Sequence, residues 1–175
     1  MTTEAIVAIL SGYQPNTLWI TIMPAIHDIT TSPEDPPAYV AIVPLRANAH
    51  NSMEYGAGRG MTPEKLARLT REAYPDIVPQ YFDESPQWVF DQALSAAKKL
   101  GWKIIAAEPE EGRIEAVDTT FWLRFKDDII ILITQEGEKS VLNARSLSRI
   151  GTHDFGANAK RLRKLFQLLH DSRSQ

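Results

Sequence analysis

The chain has 175 residues, 43% of them hydrophobic and 23% charged, with a formal net charge of -3. That length supports one well-buried core, and the mildly acidic balance, pI ≈ 5.8, offers a phosphate backbone only a local basic patch, so a dedicated nucleic-acid binder is not expected. With no cysteine, disulfides, zinc-thiolate sites, iron-sulfur clusters and thiol nucleophiles are excluded, and no metal or cofactor is expected.

At the N-terminus, the apolar run from Ala5 to Leu10 is too short to span a bilayer, and the next, "LWITIMPAI", is broken by Pro24. Glu4 without a basic region reads against a signal peptide. As given, the chain reads as soluble, with its compartment open. "PEDPP" at Pro33 to Pro37 fits neither a helix nor a central strand. "YGAGRG" lacks the spacing of a phosphate-binding loop. Only "TPEKLARLTREAY" has helical character, with Thr62 as N-cap and Pro63 at the first helical position. Residues 1–73 therefore read as an irregular extension that docks on a main domain of residues 74–175.

From Pro75 onward the pattern is regular. "DIVPQYF" offers an edge strand. Ser85 and Pro86 open a helix whose apolar face is Val89, Ala93, Ala96 and Leu100, and Gly101 ends it. "WKIIAAE" and "RIEAVDTT" form a hairpin through "PEEG", with Gly112 at the position needing positive φ. "DDIIILIT" and "SVLNARSLSRI" form a second hairpin, and a last amphipathic helix runs from Ala157 to Asp171. Strands bracketed by helices predict an α+β two-layer sandwich, a four- to five-stranded antiparallel sheet with two helices on one face.

Period two along the last strand puts Leu142, Ala144, Ser146, Ser148 and Ile150 on one face and Val141, Asn143, Arg145, Leu147 and Arg149 on the other. The small-residue face suits a packed helix. Glu115, in the second strand, shares the open face with Arg145 and is expected to pair with it. Two readings stand for Arg145 and Arg149. They are a fork for a carboxylate, a phosphate or a partner's backbone, or the N-terminal extension lies across this face and offers them its own Asp28 or Asp35.

His153-Asp154 and His27-Asp28 invite an acid-base or metal reading. Against it, Asp154 sits where the last helix needs an N-cap, and Asp28 suits a turn. Asp127 and Asp128 point to opposite faces and read as a solubilising strand entry. Lys160, Arg161, Arg163 and Lys164 form a solvated helix face or, on the sharper reading, a contact for anionic lipid headgroups.

"AYPDIVP", "ALSAAKKLGWKIIAAEPEEGRIEA", "FKDDIII" and "ARSLSRIGTHDFGANAKRLRKL" together resemble the bacterial and plant domain-of-unknown-function family 1499 over about Tyr74 to Leu169. "PAIHDITTSPEDPPAY" resembles the segment that follows membrane helices in longer members, so the resemblance implies a membrane-associated location for those relatives and leaves this chain's own location open. It implies no established reaction.

The expected function is a non-catalytic domain binding an anionic small molecule or a protein partner at the strand-loop-helix corner, through Arg145, Arg149, Ser148, His153, Asn158 and Glu115. The alternative is a hydrolase or metal-dependent enzyme using His27 or His153 with acidic residues. A third reading, an autonomous structural module, requires the arginines to be occupied by the chain's own carboxylates.

Overall fold

Helix starts fall where hydroxyl and proline signals place them. In the computed structural model, which describes residues 24–58, 60–120 and 124–173, α1 spans Pro63–Ala73, α2 Pro86–Lys99 and α3 Ala157–Ser172. Thr62 accepts from Lys65 N at 3.2 Å and Ser85 from Trp88 N at 3.2 Å, each satisfying one of the helix's free first-turn donors. Gly101, at φ 80°, follows the end of α2.

Six strands, β1 (Asp28–Thr30), β2 (Gln80–Phe82), β3 (Lys103–Glu108), β4 (Arg113–Thr119), β5 (Lys126–Glu136) and β6 (Lys139–Ser148), form one antiparallel sheet in the order β1-β6-β5-β4-β3. β2 also pairs with β6, opposite Ser140–Leu142, while β1 pairs with Arg145–Leu147. Two short strands thus share the outer edge of β6 and leave less of it open to foreign pairing. β2 is the edge strand expected from "DIVPQYF"; β1, from the extension, is a sixth strand beyond the four or five expected.

The alternation of β4 and β6 holds. Ile114, Ala116, Ile129, Ile131, Ile133, Leu142 and Ala144 pack against Val89, Phe90, Ala93 and Ala97 of α2 and Ala159, Leu162, Leu165, Phe166 and Leu169 of α3. On the second face, Val117, Ile130 and Leu147 lie beneath Tyr39 and Ile42. The α+β sandwich therefore carries helices on one face and the chain's own residues 37–53 on the other. Burying a side chain such as Ile42 is worth about 1.5–3 kcal/mol, which gives the irregular segment a reason to stay docked. The β3-β4 turn ends at Gly112 with φ 62°, where a Cβ would lie 2.1 Å from Ile133 O, so the turn demands glycine on two counts. No described helix is long and apolar enough to cross a membrane.

Candidate functional site

The second sheet face is built around arginine. Arg145, in the middle of β6, donates from Nε and Nη2 to the two oxygens of Asp28 at 2.9 and 2.8 Å. It also donates to Met53 O at 2.7 Å and Pro37 O at 3.3 Å. Its guanidinium carbon lies 5.2 Å from the ring centre of Tyr39 and 5.6 Å from that of Tyr55, within cation-π range. Arg145 is 3% exposed and Asp28 is 3% exposed, so the pair is a desolvated bidentate bridge. Burial works against the arginine's charge, but the Asp28 carboxylate outweighs it and raises the pKa above the ordinary value. Burial likewise holds the Tyr39 phenol well above its usual range, and its hydroxyl donates to Asp128 O at 3.0 Å. Of the two alternatives for Arg145, the geometry realises the docked extension. Asp28 is a strand residue, not the turn former it resembled.

Glu115 does share this face with Arg145, but Ile130 of β5 stands between them in register. The expected pair does not form. Glu115 instead takes Arg113 and accepts three backbone donors, Val40 N and Ala41 N at 3.0 Å and Ile42 N at 2.9 Å. Its carboxylate thereby anchors the segment that covers the sheet.

Asp127 and Asp128 point to opposite faces as the strand period requires, yet neither solubilises the strand entry: they are 4% and 0% exposed. Asp128 binds Arg149 through Nη2 at 2.7 Å and also Arg46. Asp127 binds Arg161 Nη2 at 2.6 Å, and the same guanidinium reaches Asp118 at 2.8 Å. Each aspartate is compensated by an arginine distant in sequence, without which a buried carboxylate would be very costly.

The strand-loop-helix corner is closed by small polar groups. Ser146 Oγ donates to Asn158 Oδ1 at 2.7 Å, and Asn158 Nδ2 donates to Ser148 Oγ at 2.9 Å and His27 O at 3.0 Å. Asp154 has the expected capping chemistry from two residues before the N-cap, Gly156: its oxygens accept Gly156 N at 2.8 Å and Asn158 N at 3.0 Å. With Ala157 N bonded to Asp154 O at 3.0 Å, three backbone donors at the start of α3, those of Gly156, Ala157 and Asn158, are engaged within the chain. His153 accepts from Phe155 N through Nδ1 at 3.3 Å and stacks on the Phe155 ring at 4.4 Å. His27 lies on a cavity of about 80 Å³, lined also by Asp28, Glu54, Met61 and Thr152, well below the roughly 300 Å³ of a ligand pocket. Among the described residues, no group of three His, Cys, Asp or Glu side chains could hold a metal ion.

Arg149 organises the end of the sheet beyond this corner. Its Nη1 donates to Leu45 O at 2.8 Å, its backbone N to Lys126 O at 3.0 Å, and its carbonyl accepts from His50 N and Asn51 N, both at 3.0 Å. These bonds bring three loops together. Leu45, Phe125 and Ile150, 48%, 43% and 43% exposed, border a depression of about 230 Å³ with Arg124, Lys126 and Arg149. Phe155, 77% exposed, projects from the same β6-α3 loop. Lys160 and Lys164 border an adjacent depression with Trp102, Leu100 and Asp118. Lys160 and Lys164 belong to the basic helix face expected from the sequence, but Arg161 of that face is buried and Arg163 bonds Asp76; the apolar members of the cluster carry no such signal, because an isolated phenylalanine or leucine reads as core until the fold places it outside.

Of the corner residues expected to bind, Arg145, Arg149, Ser148, Asn158 and Glu115 are held in intramolecular contacts, and only His153 is presented by a solvent-facing loop. The chain belongs to the DUF1499 family, a protein family of unknown function, whose model matches residues 28–169. The match begins at β1 and so includes the segment that covers the sheet. No curated protein matches the chain.

Proposed function

We propose that this is a non-catalytic binding domain that meets its partner through the loop end of the sandwich. The observation carrying this reading is the gathering of Leu45, Phe125 and Ile150 in solvent beside Arg124 and Lys126, with the exposed Phe155 further along the β6-α3 loop that carries Ile150. Large apolar side chains brought together on a surface mark interaction sites more often than scattered ones do. In this reading Arg145, Arg149, Glu115, Ser148 and Asn158 serve binding indirectly, by building the corner that presents those side chains. An arginine fork for a free anion would first have to release Asp28 or Asp128, each buried with its charge.

The test is site-specific photo-crosslinking of the full chain in producing cells. A photoreactive phenylalanine analogue replaces Phe155 or, as a control at the opposite end, the exposed Tyr81 of β2. Adducts of one recurring class, protein or lipid, at position 155 and not at 81 are the expected outcome. Equal labelling at both positions, or none at 155, refutes the reading.

A further inference from the structure

Resting on that reading, we infer that the occupant of the loop end is an anionic lipid surface, bound peripherally by apolar tips that enter the headgroup region and lysines that meet the phosphates. Three features of the fold converge on this.

The first is shape. Phe155 stands between Gly151 and Gly156, both with positive φ, and is itself at φ 52°, so its ring is carried on a sharply turned projection rather than at the floor of a groove. Leu45, Phe125 and Ile150 come from separate loops brought together by Arg149. Protruding apolar side chains suit a deformable interface, whereas protein hot spots tend to pair with shaped pockets.

The second is the kind of cation. The exposed positive groups here are Arg124, Lys126, Lys160 and Lys164, with Lys103 at the adjoining start of β3. Lysine predominates, and lysine is depleted at protein-protein interfaces but well suited to a diffuse layer of anionic headgroups.

The third is charge segregation. The acids facing this end are already engaged: Asp118 and Asp127 by Arg161, Asp128 by Arg149 and Arg46, and Asp154 by the backbone at the start of α3. Glu54 stands at the margin, on the small cavity beside Thr152. The opposite end, where the β3-β4 and β5-β6 turns lie, exposes Glu108, Glu110, Glu111, Glu136 and Glu138. A negatively charged membrane therefore attracts one end and repels the other, which orients the domain without any deep pocket.

The deciding experiment is co-sedimentation of the full chain with vesicles of phosphatidylcholine alone and of phosphatidylcholine with phosphatidylglycerol, at low and at physiological ionic strength. Binding is expected only with phosphatidylglycerol and should weaken with salt. A cation near an anionic surface contributes about five-fold in affinity, so Arg124→Glu with Lys126→Glu should lower binding by at least about 25-fold. Ile150→Ser with Phe155→Ser should lower it by about ten-fold or more. Tyr81→Ser, at the far end, should leave it unchanged. All of these side chains are exposed, and an unchanged melting temperature for each variant verifies the fold. Failure to sediment with phosphatidylglycerol vesicles at low salt, or wild-type binding by both loop-end variants, overturns the inference. If vesicle binding fails while position 155 crosslinks a protein in cells, the lipid assignment falls and the binding surface stands; if both fail, both fall.

Discussion

Removing either half of the Arg145–Asp28 bridge should reveal how much of the fold depends on it. Asp28→Asn keeps an acceptor and the side chain's shape but removes the charge, leaving a buried guanidinium with two carbonyls, Pro37 O and Met53 O, and two aromatic rings. Breaking a buried pair costs about 3–5 kcal/mol, and this residual solvation places Asp28→Asn near the lower figure. Arg145→Met should cost more. It strands a carboxylate that is 3% exposed and takes the donors from both carbonyls. Against a typical stability of about 5–15 kcal/mol, such losses correspond to a fall in melting temperature of roughly 6–20 °C for a chain of this size. Urea unfolding of wild type, both single variants and the double variant gives the coupling directly. The double variant should recover at least about 1.5 kcal/mol relative to the sum of the singles, because the second change removes the group that the first left unpaired. Additive losses, or an Arg145→Met cost below about 1 kcal/mol, as for an exposed pair, would refute the buried-bridge reasoning.

Gly112→Ala should destabilise by about 2 kcal/mol or more, since it adds a left-handed residue and a clash with Ile133 O, while Gly137→Ala, also left-handed but facing open space, should cost only about 1–2 kcal/mol; equal midpoints in urea would show that the Ile133 contact is irrelevant. Glu115→Gln weakens the acceptor for Val40, Ala41 and Ile42 and removes the charge opposite Arg113, so hydrogen exchange at those three amides should accelerate before that of β5, and unchanged protection there would argue against the anchor. Arg163 holds the Asp76 carboxyl below its usual range, chiefly by hydrogen bonding. The sign follows: this stabilisation is present above the unfolded aspartate pKa and is lost as pH falls through the lower folded one. Because both side chains are about half exposed, Asp76→Asn should cost less than about 1 kcal/mol at neutral pH, and that cost should shrink towards zero in acid; an acid-insensitive difference in melting temperature would contradict it.

Much of the scaffold was legible because its signals are local. Ser85 with Pro86, Thr62 with Pro63, and Gly101 and Gly112 fix helix ends and a turn through their own backbone chemistry. The two faces of β6 followed from strict alternation, down to the Ser146 and Ser148 positions that receive Asn158. What escaped depends on contacts between distant residues. β1 is three residues long and polar at both ends, and its identity as a strand exists only through pairing with β6 more than a hundred positions away. Asp127 and Asp128 looked like a solvated entry because nothing near them in sequence announces Arg161, Arg149 or Arg46. The pairing of Arg145 was legible as an alternative, since an uncovered sheet face and an acidic extension call for each other, but its partner could not be chosen between Asp28 and Asp35 by spacing alone.

The internal pairing also explains why a chain with net charge -3 can present a basic end. Among the described residues, the buried charged side chains are five arginines, Arg46, Arg113, Arg145, Arg149 and Arg161, and four acids, Asp28, Glu115, Asp127 and Asp128; Asp118, bonded to Arg161, supplies the fifth acid. Those ten groups cancel, so the entire net charge of -3 is carried outside this set. With the acids at the loop end engaged within the chain and lysines exposed there, the excess negative charge must reside elsewhere, including the glutamates of the two distant turns. In the proposed binding mode the arginines contribute to recognition without touching a partner: by neutralising the aspartates that enter β5 from the loop end, they leave that end positive. Arg149 is the residue through which both roles pass. It neutralises Asp128 and its bonds set the positions of Leu45 and Lys126, so its replacement should impair loop-end binding even at temperatures where the protein remains folded. Replacing Arg145, whose bonds lie in the middle of the sheet, should lower stability and leave binding by the folded fraction intact.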